Sequence, residues 1–381
     1  MRPLEIYIHI PFCISKCKYC DFKSAPSCPK ERSDYVESLC EKIRSYEEFA
    51  KAYRVVSIFI GGGTPSILDA GQMREIFKTI KETFTLSDCS FDMDNAEITV
   101  EMNPGTVTME KLIAYRECGV NRLSIGLQSV NNHELKALGR IHTYEEFLET
   151  YQMAREAGFK NINIDLISAI PHQTVESWKN TLHTVCKLNP EHISAYSLII
   201  EEGTPFYERY GDGEHGDELP SEEDERQMYY DTREILASYG YERYEISNYA
   251  KPGYECRHNL GYWERCEYLG IGTGAASLIG NQRWSQGELM SEGDAVTVEI
   301  EELTRENEME EFMFLGLRKM KGVSKEKFGE LFGISMEEIY GDVIKIMKFK
   351  GLIEEVDGDI RLTEAGIDVS NYVMSEFLLE M

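Results

Sequence analysis

Along the first half of the chain, short apolar runs alternate with longer stretches whose apolar residues recur at helical spacing. The runs 5–9 (EIYIH), 55–60 (VVSIFI), 97–101 (EITVE), 122–127 (RLSIGL), 162–166 (INIDL) and 192–199 (HISAYSLI) have strand length and β-branched content. Helical patterns fall between them at 31–50, 70–83, 107–118, 143–157 and 174–187, with Gly119 and Gly158 where helix C-caps belong. The alternation predicts an α/β fold: a parallel sheet with helices outside it, open or curled into a barrel. In such folds functional groups gather at the carboxyl ends of the strands. Those ends carry the Cys13–Cys20 loop, GGGTP at 61–65, Glu101, Gln128, Asp165 and the Tyr196–Ser197 region.

Beyond residue 200 the pattern loosens. Residues 201–230 are acidic and loop-rich, expected as a surface excursion. Residues 240–300 are aromatic and glycine-rich, with Gly280-Asn281 placed to turn a hairpin. From about 304, helical stretches lead into LIEEVDGDIRLT, where Asp357-Gly358 turns a second hairpin. Helices followed by a hairpin resemble a small winged-helix-like domain. The expected division is a core at 1–235, an aromatic segment at 236–303 and the C-terminal domain at 304–381.

Charge narrows the partners. The 381 residues include 40 Lys and Arg against 67 Asp and Glu, a formal net charge of −27. Such a surface repels nucleic acid and anionic membranes. The segment 301–381 holds 10 basic and 19 acidic residues, which suits docking or a lid better than reading DNA. No apolar run approaches the roughly 18–20 residues that span a bilayer, so no integral membrane segment is expected. The start MRPLEIYIHIPFC lacks the apolar core and cleavage site of a secretory leader. The ten cysteines are therefore expected in a reducing cytoplasm, where clustered thiols serve metal or redox chemistry more often than disulfides.

The densest chemistry is HIPFCISKCKYCDF at 9–22, with Cys13, Cys17 and Cys20 inside eight positions. Structural zinc takes four protein ligands, which would require Cys28 as the fourth. Three thiolates on a 4Fe-4S cluster leave one iron open to a small molecule. The thiols can also pack as apolar side chains. The glycines of GGGTP let the backbone approach a ligand and present unpaired amides and carbonyls to it. Glu101 ends an apolar strand, where an unpartnered carboxylate is costly, and Arg140 offers a fork suited to a carboxylate.

Taken together, HIPFCxxxCxYC, GGGTP and NIDL resemble the radical S-adenosylmethionine (radical SAM) superfamily, and within it the oxygen-independent coproporphyrinogen III oxidase-like group. The resemblance runs from the first strand to the C-terminal domain and implies a partial (β/α)6 TIM-like barrel. It implies that Cys13, Cys17 and Cys20 hold a 4Fe-4S cluster whose remaining iron takes the amino and carboxylate groups of S-adenosyl-L-methionine (SAM). Tyr7 and Tyr19 would line cluster and cofactor, and Gly62, Gly63 and Thr64 would hold the SAM amino group. Glu101, Gln128, Arg140, Asp165 and Ser197 are the further cofactor contacts it implies. One departure stands out: DLISAIP has Ala169-Ile170 where the group commonly reads Gly-Leu, which bears on the shape of that loop but not on Asp165.

Two features separate branches of the group. The oxidases continue the cysteine motif as CxxxCxxCxC and carry a longer N-terminal segment. Here Phe22 stands in the extra cysteine's place and the first strand begins almost at Met1. The run CRHNLGYW at 256–263 matches HNxxYW, the signature of the HemW-type heme chaperones. That resemblance implies heme contacts from His258, Asn259, Tyr262 and Trp263, with an imidazole on iron and aromatic faces on the porphyrin. Cys256 and Cys266 flank the motif as alternative thiolate ligands, and a packed corner is the other reading of the same side chains. Cys40, Cys89, Cys118 and Cys186 have no partners in the sequence pattern and are expected in the core. The expected function is heme binding and transfer to an acceptor protein. The alternative is oxidative decarboxylation of coproporphyrinogen III, and a cluster protein that never uses SAM is disfavoured by GGGTP, Glu101 and Arg140 together.

Overall fold

The computed structural model describes residues 1–84, 96–287 and 299–379, so Cys89 lies outside the described residues. The six expected strands are β1 (Arg2–Ile10), β2 (Tyr53–Gly62), β3 (Glu97–Met102), β4 (Arg122–Gln128), β5 (Ile162–Ser168) and β6 (His192–Ser197). Between them run α1 (Pro29–Arg44), α2 (Ala70–Phe84), α3 (Met109–Glu117), α4 (Tyr144–Glu156) and α5 (Val175–Lys187). Threonine hydroxyls start three of these helices: Thr108, Thr143 and Thr174 each accept a backbone N–H of the first turn. Every strand from β1 to β6 pairs in parallel with the next in chain order. Right-handed crossovers in that order place all the helices on one face, as in a barrel that has not closed.

The strands alternate between two different faces. Leu4, Ile6, Ile8 and Ile10 of β1 share one apolar core with Tyr35, Val36 and Leu39 of α1. The opposite face of β1 carries Glu5, Tyr7 and His9, and the neighbouring strands repeat the polar choice. Glu5 sits across from Ser57 and Ser57 from Glu97, while Glu101, Ser124, Asn163 and His192 follow one another from β3 to β6. Because side chains on a strand alternate with period two, the helices cover the apolar face, and the concave inner face is largely polar, with Phe59 among its few apolar members.

Beyond residue 200 the structure departs from the expected loop. Glu222–Ser238 forms a 17-residue helix, α6, started by the hydroxyl of Ser221. It buries Met228, Thr232 and Leu236, and the Trp178 indole donates to the Met228 carbonyl (3.1 Å) and to Thr232 Oγ1 (2.9 Å). Its acidic residues crowd the first turn, where the helix dipole favours them, so the composition resembled a loop while the apolar spacing was helical. This helix runs through residue 235. The next segment flanks the sheet on both sides: β7 (Asn248–Ala250) pairs antiparallel with β6, and after α7 (Arg257–Trp263), β8 (Tyr268–Ile271) pairs in parallel with β1. β9 (Ala276–Ile279) and β10 (Gln282–Ser285) form the expected hairpin about Gly280-Asn281. The result is one open 12-stranded sheet.

The C-terminal domain contains α8 (Arg305–Gly316), α9 (Lys325–Phe332), α10 (Met336–Phe349) and the hairpin β11 (Ile353–Val356) and β12 (Asp359–Leu362). Asp357 and Gly358 have φ of 52° and 89°, both left-handed, as a two-residue hairpin turn of this twist requires. Its own core centres on Phe312, Phe328, Tyr340 and Met347. Arg265 ties it to the sheet through Glu311 (2.8 Å) and Glu308 (3.5 Å). No described helix is long and apolar enough to cross a membrane.

The tightest approach in the sheet region is α7 against β1: a Cβ on Gly261 would lie 2.0 Å from Glu5 Oε1. Gly261→Ala is therefore expected to destabilise the fold by about 1–3 kcal/mol, the cost of overpacking. Gly341→Ala in α10, whose new Cβ would meet nothing nearer than Glu337 Cβ at 4.0 Å, should instead stabilise it by up to about 1 kcal/mol. Urea unfolding of both variants measures the two effects.

Candidate cofactor site and barrel floor

The cysteine loop leaves the carboxyl end of β1. Cys13, Cys17 and Cys20 are free thiols, the first buried and the others partly buried. Cys13 accepts a hydrogen bond from Thr64 Oγ1 (3.5 Å) and Cys17 accepts one from Arg140 Nη1 (3.6 Å). Asn103 joins the two cysteines: it accepts from Arg140 Nη2 (2.8 Å) and donates to Thr64 Oγ1 (2.8 Å). Arg140 also donates to the Gly126 carbonyl, while its Nε is buried without a partner among the described residues. Asn103 belongs to the Glu101-Met-Asn-Pro run at the end of β3 and lies two residues beyond Glu101, on the same inner face. Cys28 is exposed and stands at the N-terminus of α1, away from a fourth-ligand role. Among the described residues no three His, Cys, Asp or Glu side chains converge on a point suited to one ion, as zinc would require. A cluster gives each thiolate its own iron, and the three-thiol loop with donors aimed at two of its sulfurs fits that donor set.

The glycines of GGGTP act differently from the sequence expectation. Their amides are not unpaired: Gly62 donates to Glu101 Oε2 (3.2 Å), Gly63 to the Ile10 carbonyl (2.8 Å) and Thr64 to the Phe12 carbonyl (2.7 Å). What glycine supplies is closeness. A Cβ on Gly62, at φ 106°, would meet the His9 ring at 2.5 Å, and one on Gly63 would meet the Phe12 carbonyl at 2.6 Å. The run therefore stitches the base of the cysteine loop onto β2.

The inner face brings most of the remaining residues into one region. Glu101 is pushed up to about 8, first by burial and then by the neighbouring Asp165. Asp165 is raised by burial and is held by Ser124 Oγ (3.0 Å) and Asn163 Nδ2 (2.7 Å). Gln128 is buried at the end of β4 with φ 73°. Tyr7 pairs with His9 Nδ1 (3.0 Å) and stacks on Phe59, and Tyr19 packs against a small apolar cluster that includes Ile167, Ile170 and Phe206. Ser197 stands apart: its hydroxyl donates to Glu225 of α6. In the DLISAIP loop Ala169 has φ 58°, so the chain keeps a glycine-like conformation with an alanine in it.

The HNxxYW run forms α7, and it lies toward the opposite end of the strands from the cysteine loop. Glu97, on the first residue of β3, accepts the Arg257 amide (3.1 Å), the His258 amide (3.2 Å) and the Cys256 thiol (3.4 Å). His258 is buried and stacked on Phe59. Its Nδ1 pairs with Ser57 Oγ (2.8 Å) and its Nε2 with Tyr262 Oη (3.1 Å). Burial, aided by the Arg122 charge, lowers it to about 3, which keeps the ring neutral. With both ring nitrogens committed, His258 is not placed to ligate iron in this conformation. Buried Cys256 is likewise raised by burial and bonded to Glu97. Asn259 lies in the first turn of the helix, and Trp263 sits beneath the Arg318 guanidinium at 4.4 Å. The run is thus a packed plug in the floor of the barrel. Cys40, Cys118 and Cys186 are buried, as expected.

Left-handed backbone costs a residue with a Cβ about 1–2 kcal/mol, so Ala169→Gly should stabilise the protein by about 1 kcal/mol, read from its denaturation midpoint. Glu101 is an acid whose folded value is raised, so it stabilises least at high pH: its contribution declines as pH climbs from the usual carboxylate range toward 8. Glu101→Gln should remove that decline, about 1.4 kcal/mol per pH unit at most, and the variant should gain on the cofactor-free parent in melts between pH 5 and 8.

Comparison with known proteins fits this architecture. Residues 7–185 match the family model of the radical SAM superfamily, and residues 303–369 match that of the HemN C-terminal domain. The chain is 37% identical to the heme chaperone HemW of Lactococcus lactis subsp. lactis (strain IL1403), across 100% of this chain and 98% of that relative. It is 36% identical to the heme chaperone HemW of Bacillus subtilis (strain 168), covering 98% of this chain and 99% of the relative. The solved structure of coproporphyrinogen III oxidase (HemN) from Escherichia coli, described as a radical SAM enzyme, superposes with a TM-score of 0.84 at 24% identity over 100% of this chain and 91% of that one. That last likeness speaks to the fold. Full-length identity above one third, on a sheet whose strand ends carry the three-cysteine loop, shows that the chain belongs to the HemW heme-chaperone family of the radical SAM superfamily.

Proposed function

We propose that this protein binds heme, together with a 4Fe-4S cluster and SAM, and passes the heme to an acceptor protein. The observation that carries the reading is the three-thiol loop braced by Thr64, Asn103 and Arg140, in a chain similar over its full length to heme chaperones. A bound cluster supplies one-electron chemistry, or a fixed anchor for SAM. The protein's own part is positioning. Cys13, Cys17 and Cys20 are the cluster ligands, and Arg140 lends positive charge to the sulfur of Cys17. Glu101 and Asp165 form an acidic inner wall suited to the amino group of SAM, while Tyr7, Gly62, Gly63 and Gln128 complete the pocket. Phe22 occupies the position where the oxidases carry a further cysteine, and its side chain is exposed. The C-terminal domain suits docking of the acceptor.

Anaerobically reconstituted protein tests the reading. Titration with hemin should give saturable binding near one equivalent. Incubation with coproporphyrinogen III, SAM and a reductant should yield no protoporphyrinogen, and clear SAM-dependent turnover would replace this reading with the oxidase. Addition of SAM should change the cluster's EPR signal, and Arg140→Lys should weaken that response, because lysine cannot reach Cys17 and Asn103 at once.

A further inference from the structure

The geometry points to Asn103 as a positioning residue for the cluster: its side-chain amide fixes the direction of the Thr64 hydroxyl and so keeps a hydrogen bond on the sulfur of Cys13. The inference rests on the cluster-bearing function above and concerns how this chain tunes that cluster. The polarity of the bonds is forced by what each group can donate or accept. Arg140 only donates, so the Asn103 atom facing its Nη2 at 2.8 Å is the carbonyl oxygen. The amide nitrogen is thereby turned to Thr64 Oγ1, also at 2.8 Å, and it too only donates. The Thr64 oxygen accepts that bond, and its single hydrogen goes to Cys13 Sγ at 3.5 Å. The same guanidinium reaches Cys17 Sγ directly through Nη1 (3.6 Å). One cation thus addresses two sulfurs, the first by contact and the second through an amide and a hydroxyl.

The surrounding fold holds Asn103 for this task. Pro104 follows it and restricts its backbone to the extended region. Its backbone amide donates to Ser66 Oγ (3.3 Å), and its backbone carbonyl accepts from the Thr106 hydroxyl (2.7 Å) and amide (3.2 Å). Gly126 on the neighbouring β4 leaves room for the side chain. A Cβ there would lie 2.8 Å from Arg140 Nη2 and 3.0 Å from Asn103 Oδ1, so a larger residue would push the pair apart. Thr64 is buried, and its backbone amide is tied to the Phe12 carbonyl (2.7 Å). Solvent is therefore a poor substitute for the Asn103 donor.

Donors on the sulfurs of a 4Fe-4S cluster favour its more negative, reduced state, and so raise its reduction potential. A hydroxyl does this only while its hydrogen faces the sulfur. Threonine alone does not guarantee that, because the hydroxyl rotates toward whichever acceptor is strongest. Asn103 removes the choice by presenting a donor on the other side. An aspartate at the same position would keep the bond from Arg140 but offer Thr64 a carboxylate oxygen, a better acceptor than sulfur, and draw the hydrogen away from Cys13. The single amide nitrogen of Asn103 is thus what couples Thr64 to the cluster.

The test is an anaerobic redox titration of the full-length, cluster-reconstituted protein without SAM or heme, with the reduced cluster read by EPR. In the parent, Thr64→Val should lower the ratio of reduced to oxidised cluster at a fixed potential by about fivefold, the worth of one hydrogen bond. Thr64→Ser, which keeps the hydroxyl, should match the parent. Asn103→Asp should lower the ratio by itself, and Thr64→Val added to it should change nothing further. The added charge of the aspartate acts equally with or without the hydroxyl, so it leaves that comparison intact. Asn103→Ala removes the donor without adding charge and opens the hydroxyl to water. It should likewise shrink the Thr64→Val effect, and it serves where Asn103→Asp does not hold its cluster. A Thr64→Val effect that is missing in the parent, or equally large beside every Asn103 variant, overturns the coupling while the cluster reading stands. A parent protein that takes up no iron and sulfide overturns both.

Discussion

A single carboxylate at the foot of β3 governs how the two halves of the chain meet. Glu97 receives two backbone amides and a thiol from the start of α7, about 160 residues further along. The amides at a helix N-terminus have no partners within the helix and carry its partial positive charge, so a buried carboxylate is well matched to them. Arg122, buried nearby, adds favourable charge of its own. With α7 seated, β8 comes alongside β1 and the hairpin β9–β10 extends the sheet. Without that contact Glu97 would lose these donors in a desolvated space, which is costly.

The floor and the mouth of the half-barrel divide the labour. Both are polar because one face of every strand is polar, but they are satisfied differently. At the floor Glu97 and Ser57 bond to α7 and His258 is neutral with both nitrogens occupied, while Glu5 Oε2 is buried without a hydrogen-bond partner among the described residues. At the mouth Glu101 and Asp165 share an inner wall, and Arg140 bridges the Cys17 thiol and Asn103 with its Nε left unpartnered among the described residues. A raised carboxyl beside another carboxyl is the electrostatic condition for taking up a cationic group, since binding one relieves their repulsion. The same side-chain types thus serve as structure at one end and, in the function proposed above, as cofactor contacts at the other.

Much of this was legible in the chain because it is local. Strand and helix positions followed from periodicity, the two hairpins from Gly280-Asn281 and Asp357-Gly358, and the three-cysteine loop from its spacing. The alternation in EIYIHI, EITVEM and RLSIGLQ also encoded the polar inner face, and Asn103 could have been found by extending it. Helix α6 was obscured because acidic residues at its start resemble a solvated loop, while the apolar positions that define it are three and four apart. The bonding of the GGGTP amides was hidden for a related reason: glycine announces a close approach but not what approaches.

The sequence by itself determined the order of elements, the cysteine loop and the family to which these motifs belong, since each depends on residues near one another in the chain. Tertiary structure decided what those residues face. His258 could have been a ligand until Ser57 and Tyr262, from an adjacent strand and the same helix, took its nitrogens. Cys13 and Cys17 acquired donors from Thr64 and Arg140, 51 and 123 residues further along, only because the strands brought those loops together. Hydrogen-bond valence is used up by neighbours in space, and those neighbours are fixed by packing across the whole fold, so a side chain's availability cannot be read from its own stretch of sequence.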